Sequence, residues 1–315
     1  MEILLARDMG FCFGVRRAID IMERAASAPG GDADAGDAEA MKGKIASLGD
    51  VVHNPQVVDY LSQRGVKVVN RLSEVPEGRV AITAHGVGPH VLQEAQERGL
   101  AMVDATCPIV TRSQRWAQKL AREGFAIIIF GDANHREVRG VLAWAKGKGV
   151  AITEEGLDSL IFAPNPPGPG LPRSGMALAG GLPSKIAVMS QTTQSPQRFA
   201  AFVAKLLETH IDRISELRVI NTLCGVTSNQ QAAAQELAMQ VQVMIVIGGR
   251  NSANTRHLAE VCQEEGVATY HIEAAAELEA AWLQGVERIG VTAGASTPDF
   301  VIEEVVARLR ELGQK

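Results

Sequence analysis

The sequence is poor in aromatic residues, at 4%, and holds only four cysteines in 315 residues. Thiols scattered so thinly are not the disulfide framework of a small secreted domain. Positive charge is not in excess: the net charge is −5 at pH 7. Bulk electrostatics therefore favour neither nucleic acid nor an anionic membrane as a partner. No apolar run reaches the ~18 residues needed to span a bilayer; the longest are short, such as Phe125–Phe130. No basic stretch or long apolar segment precedes Glu2–Ala6, so no signal peptide is expected and the cytoplasm is the expected compartment. Thiols stay reduced there, which leaves the cysteines as core residues, nucleophiles or metal ligands.

What is present is ordinary globular chemistry. The chain is 46% hydrophobic and 21% charged, and its length suits two or three domains. One pattern dominates: a short apolar strand, a tip of small or polar residues, then an amphipathic helix. Ile3–Ala6 leads to Met9–Gly14 and a helix with Val15, Ala18, Ile19 and Met22 on one face, a period near 3.6. Ile45–Leu48 leads to His53-Asn54-Pro55, where Asn54 caps and Pro55 opens a helix closing near Gly65. Val80–Thr83 leads to Ala84-His85-Gly86.

The pattern repeats. Met102–Asp104 leads to Thr106-Cys107-Pro108, Ala126–Phe130 to Asn134–Glu137, and Ile186–Met189 to Ser190–Thr193 with a helix from Ser195-Pro196. Arg218–Ile220 leads to Thr222-Leu223-Cys224, Val243–Ile247 to Gly248–Asn254, and Ile289–Thr292 to Ala293–Pro298. These nine tips form three groups, each opening on a cysteine. Cys107 to His135 is 28 residues, and so is Cys224 to Ser252. The spacing predicts a threefold repeat of α/β modules over 1–106, 107–216 and 217–315. Two segments read as insertions: one near 28–43, rich in Gly, Ala and Asp, and a Pro- and Gly-rich one over 162–184 that no helix or central strand tolerates. The second is expected to be a mobile excursion within its module.

Ligands of open α/β sheets bind beyond the carboxyl ends of the strands, where helix N-termini present unpaired N–H groups. The tips hold three of the four cysteines and three of the seven histidines. If the modules share an axis, these converge on one cavity. Thiolate-rich sites suit zinc or iron–sulfur clusters. The wide separation of Cys12, Cys107 and Cys224 argues against a zinc knuckle with its close Cys pairs. A cluster held by three cysteines leaves one iron without a protein thiolate, a Lewis acid toward a substrate oxygen. One buried cysteine alone is as readily a small hydrophobe. Cys262, on the apolar face of a helix, is expected to be that. His90, His210, His257 and His271 are expected to be caps or core residues.

Several motifs carry a resemblance: Gly10–Ala18, Val52-His53-Asn54-Pro55, Ala84–Val87, Asp104–Pro108, Ser190–Thr193, Asn251–Asn254 and Val291–Pro298. They resemble, in order from Met1 to Gly313, the 4-hydroxy-3-methylbut-2-enyl diphosphate reductase family, which performs the last step of the non-mevalonate isoprenoid pathway. The resemblance implies a pseudo-threefold trefoil of three α/β domains around a central [4Fe–4S] cluster on Cys12, Cys107 and Cys224. It implies a diphosphate held by His53, His85, His135, Ser252, Asn254 and Ser296. Glu137 would be the proton donor, with Thr192 beside the substrate hydroxyl. Two electrons would enter singly from an external donor such as ferredoxin or flavodoxin, and the products would be isopentenyl and dimethylallyl diphosphate.

The chain departs from the family pattern in places. Ala253 stands where a second Ser is usual, removing a donor; a hydrogen bond to a charged group is worth ~1.5–3 kcal/mol. Gly225 follows the third cysteine where an aromatic or acidic residue is common, and Arg136 follows His135 where Pro is usual. Two other readings stand beside the reductase: a non-redox dehydratase, which needs no low-potential reductant, and a cluster-bearing sensor without catalysis.

Overall fold

A computed structural model describes residues 1–27, 45–75, 77–160, 162 and 181–313. Twelve described strands form three four-stranded sheets, every recorded pairing parallel. One sheet runs β1-β12-β10-β11: Glu2–Leu5, Arg288–Ala293, Val243–Ile247 and Ala268–Ile272. The next runs β3-β2-β4-β5: Val66–Val69, Ile45–Leu48, Arg79–Ile82 and Ala101–Asp104. The last runs β7-β6-β8-β9: Gly149–Ile152, Ala126–Phe130, Lys185–Ser190 and Glu216–Val219.

All nine expected strands form, within two residues of their expected ends. The edge strands β3, β7 and β11 were not among them. They lead to no cluster of chemically distinctive residues, and strands such as Val66–Val69 are short and half-exposed. The register Leu5↔Val291 puts β1 beside β12, and Val188↔Val219 puts β9 beside β8. Each strand that leads to a cysteine is therefore the edge strand of its sheet: the other members precede β5 and β9 in sequence, whereas β1 pairs with β12, near the C-terminus.

The continuous apolar runs follow from burial on both faces, as parallel sheets require. In β6, Ala126, Ile128 and Phe130 pack on Phe199, Phe202 and Leu206 of α6, Pro196–His210. Ile127 and Ile129 face Ala117 and Leu120 of α4, Pro108–Arg122, and Val138 and Val141 of α5, Arg136–Trp144. Strand β10 does likewise: Val243, Ile245 and Ile247 meet Val301, Val305 and Leu309 of α9, Asp299–Gly313. Met244 and Val246 meet Ala234 and Leu237 of α7, Gly225–Ala238, and Leu258 and Cys262 of α8, Ala253–Glu264. Each such fully buried Ile or Val contributes about 1.5–3 kcal/mol.

Helix starts obey their caps. Asn54 Oδ1 accepts from Val57 N at 3.0 Å before α2, Pro55–Ser62, and Ser195 Oγ accepts from Arg198 N before α6. The apolar face expected on α1, Phe13–Ser27, is buried at Val15, Ala18, Ile19 and Met22. The insertion near 28–43 and the stretch 163–180 of the second one lie outside the described residues. The ends of the second are anchored: Phe162 and Leu182 form a parallel bridge, and Leu182 is buried in the core under β6 and β8.

The chain divides into two compact units. One comprises Met1–Lys44, Asp50–Val68 and Cys224–Lys315; the other comprises Ile45–Gly49 and Val69–Leu223. Among the described residues, no helix is long and apolar enough to cross a membrane.

Candidate functional site

The strand order sorts the expected site residues into equivalent sets. Strands β1, β5 and β9 occupy matching edge positions, and Cys12, Cys107 and Cys224 follow them. Their neighbours β12, β4 and β8 match and precede Ser296, His85 and Thr192. The next position holds β10, β2 and β6, which precede Ser252, His53 and His135. Glu137 and Asn254 each stand two residues beyond a member of this last set. Every one thus lies past the carboxyl end of a parallel strand, where open α/β sheets bind ligands.

In the first unit, Cys12 stands directly before α1. Its Sγ accepts from Val15 N at 3.4 Å and its carbonyl from Arg16 N at 3.0 Å, while its own N–H donates to Ala295 O at 3.1 Å. Cys224 caps α7, its carbonyl accepting from Ser228 N and Thr227 Oγ1, each at 3.0 Å. Ser252 caps α8, accepting from Thr255 N at 3.3 Å. Ser296 Oγ donates to the carbonyl of His53 at 3.2 Å. Asn254 is 4% exposed; its Nδ2 donates to Gln230 Oε1 at 3.1 Å. Its Oδ1 is buried with no hydrogen-bond partner among the described residues.

The second unit holds the remainder. Cys107 caps α4 and donates from its N–H to Ala84 O at 3.0 Å, the counterpart of the Cys12 contact with Ala295. His85 lies beside His135, rings edge to face at 5.7 Å and 80°. His135 caps α5, its Nδ1 accepting from Glu137 N at 3.3 Å. That geometry assigns the proton of the neutral ring to Nε2 and leaves it as a donor. Glu137 is 4% exposed. Its Oε1 accepts from Thr192 N at 2.8 Å, and its Oε2 meets Thr192 Oγ1 at 2.7 Å. Burial pushes its carboxyl above the ordinary value; both Thr192 bonds pull the other way and are outweighed.

Two departures find room locally. Arg136 opens α5 and reaches Leu48 O with Nη1 at 3.4 Å. Its guanidinium lies over Gly49, φ +92°, where any Cβ would collide with it. Nothing lies within 4 Å of where a Cβ on Gly225 would stand. Ala253 is buried as the first residue of α8 and supplies no side-chain donor beside Ser252.

Among the described residues, no three His, Cys, Asp or Glu side chains are grouped closely enough to hold a metal ion. An iron–sulfur cluster differs from a single ion, because each thiolate binds its own iron and the ligands stand further apart. The donor set suits one. None of the three cysteines is disulfide-bonded, and each is half-exposed at a helix start beyond a strand end. Cys262 is the contrast: 0% exposed, its thiol is pushed up to about 12 by burial. His210 and His271, expected to be structural, bond the carbonyls of Leu157 and Gly248 at 3.0 and 2.8 Å. Gln230 escaped the sequence reading, since a polar residue amid a helix gives no local sign of where its amide points.

The family model described as LytB protein matches residues 3–310. The 4-hydroxy-3-methylbut-2-enyl diphosphate reductase of Dehalococcoides mccartyi strain CBDB1 is 44% identical over 313 residues, covering 99% of each chain. That of Geobacter sulfurreducens is 41% identical over 317 residues, covering 100% of this chain and 99% of its own. Among solved structures, the E-1-hydroxy-2-methyl-but-2-enyl-4-diphosphate reductase of Plasmodium falciparum superposes with a TM-score of 0.81. It is 27% identical and covers 97% of this chain and 87% of its own. A second solved structure, of (E)-4-hydroxy-3-methyl-but-2-enyl diphosphate reductase, the terminal enzyme of the non-mevalonate pathway, gives 0.62 at 36% identity, covering 99% and 100%.

Proposed function

The chain belongs to the LytB family of 4-hydroxy-3-methylbut-2-enyl diphosphate reductases, and on that premise we propose how its own residues perform the reaction. It is an enzyme of the last step of the non-mevalonate pathway. Two electrons and two protons convert the allylic alcohol of the substrate into an alkene and water. One proton leaves with the hydroxyl oxygen, and the other adds to either end of the allyl fragment, giving isopentenyl or dimethylallyl diphosphate.

Cys12, Cys107 and Cys224 would hold a [4Fe–4S] cluster. When bound, such a cluster supplies single electrons and one Lewis-acidic iron that carries no protein thiolate. The electrons come from an external one-electron donor of the ferredoxin or flavodoxin kind, and the enzyme works in the cytoplasm.

The observation that carries the proton chemistry is the buried Glu137–Thr192 pair. A carboxyl raised by burial holds its proton to higher pH than an exposed one and is the better placed to donate it. Thr192 orients that carboxyl with its backbone N–H and contacts it with its hydroxyl, which fits a place beside the substrate hydroxyl. His53, His85, His135, Ser252, Asn254 and Ser296 bind the diphosphate. Neutral donors and helix N-termini suffice for this anion in a chain of net charge −5.

Anaerobic turnover of 4-hydroxy-3-methylbut-2-enyl diphosphate with dithionite and a dye mediator tests the proposal. Reductant-dependent formation of both products is expected. Water loss without reductant would overturn it in favour of a dehydratase.

A further inference from the structure

Gln230 is 2% exposed in α7, one turn before Ala233 and Ala234, which with Leu237 pack this helix on its sheet. Its amide makes two hydrogen bonds within the first unit. Nε2 donates to Gly10 O at 2.9 Å, and Oε1 accepts from Asn254 Nδ2 at 3.1 Å. A backbone carbonyl only accepts, so the NH2 of Gln230 must face Gly10 and its oxygen must face Asn254. Asn254 must then turn its own NH2 toward Gln230. The polarity of the Gly10 carbonyl thus passes through one side chain and selects the orientation of the next. Asn254 keeps one N–H for an anionic oxygen.

The other end of this chain is the loop that presents Cys12. Gly10 adopts φ +72°, and a Cβ there would lie 3.0 Å from Ile302 Cδ1, so its backbone is both left-handed and closely packed. Its N–H donates to Ala293 O at 3.0 Å, and Cys12 N–H donates to Ala295 O at 3.1 Å. Gln230 adds the third tie, from the helix that Cys224 caps. A buried amide at such a position is costly unless both its ends are satisfied, and here both are.

We infer that Gln230 is a positioning residue, holding the Cys12 loop and orienting Asn254 for the diphosphate through a single buried amide. The inference rests on the roles proposed above for Cys12 and Asn254. Gln230→Met, close in volume and without the amide, removes both bonds; Gln230→Ala is the second substitution should the first not fold. Two quantities are read on anaerobic holoenzyme: the Kd of inorganic diphosphate by calorimetry, and the rate of iron release to a chelator.

Gln230→Met is expected to weaken diphosphate about tenfold and to release iron several times faster. In an Asn254→Ala background it is expected to change Kd less than about twofold, since the amide it orients is gone, yet still to speed iron release. A merely structural role would lower the melting temperature and leave that non-additivity absent. Fully additive losses of affinity, or a single variant with unchanged Kd and unchanged iron release, would overturn the inference. Unchanged diphosphate affinity in Asn254→Ala alone would overturn the ligand role of Asn254 and the orienting half with it; iron release then decides the loop half by itself.

Discussion

Replacing Glu137 by Gln removes a proton and almost nothing else. The amide has the size of the carboxyl it replaces. Its oxygen can keep the 2.8 Å bond from Thr192 N, and its NH2 can donate to Thr192 Oγ1, now 2.7 Å from Oε2. The donors proposed for the diphosphate are untouched, so the substrate dissociation constant should stay within about threefold. Turnover should fall ~10²–10⁴-fold, the usual contribution of a positioned general acid, or about 3–5 kcal/mol of barrier. Steady-state rates with dithionite and a mediator, alongside calorimetric substrate binding, separate the two effects. A near-normal kcat in the variant would remove Glu137 from the role of acid.

The same substitution has a stability signature whose sign follows from the raised carboxyl. The folded protein retains the Glu137 proton at a pH where the unfolded chain has released it. Wild-type stability therefore falls as pH rises from the unfolded carboxyl value, ~4.3, up through the folded one. Glutamine does not titrate. The stability of Glu137→Gln relative to wild type should accordingly rise across that window, by about 1.4 kcal/mol for each unit by which burial lifts the carboxyl. Denaturation measured at a series of pH values checks it; a flat difference would mean that the carboxyl titrates at its ordinary pH.

Other outcomes follow from the cysteines and from Ala253. Alanine at Cys12, Cys107 or Cys224 should each lower iron and sulfide content and bleach the broad visible absorption, whereas Cys262→Ala should keep full iron content and lose only packing, on the order of 1 kcal/mol. Equal iron loss in the Cys262 variant would refute the division between tip and core thiols. Ala253→Ser restores a hydroxyl beside Ser252 at the start of α8 and should tighten inorganic diphosphate about tenfold, within the range of one hydrogen bond to a charged group. Unchanged affinity would mean that the residue 253 side chain does not reach the ligand.

Much of this protein was legible along the chain because the relevant signals are local. A parallel strand buried on both faces reads as an apolar run, as Ala126–Phe130 and Val243–Ile247 do. A helix start reads as a cap followed by proline, as Asn54-Pro55 and Ser195-Pro196 do. Cysteines and histidines stand out where they recur after such strands, so the tips and their residue types were visible without coordinates.

Tertiary structure decided what depends on partners distant in sequence. Only strand pairing shows that β1 lies beside β12 and that each cysteine follows an edge strand, because parallel strands carry no mark of the neighbour they will choose. Only packing buries Glu137 and thereby lifts its carboxyl, against the opposite pull of its two bonds with Thr192. Only the fold turns Gln230 toward Gly10 and Asn254. A residue type states which hydrogen bonds and charges are available to it. Burial, and the polarity of whatever the fold sets opposite, determines which of them is used.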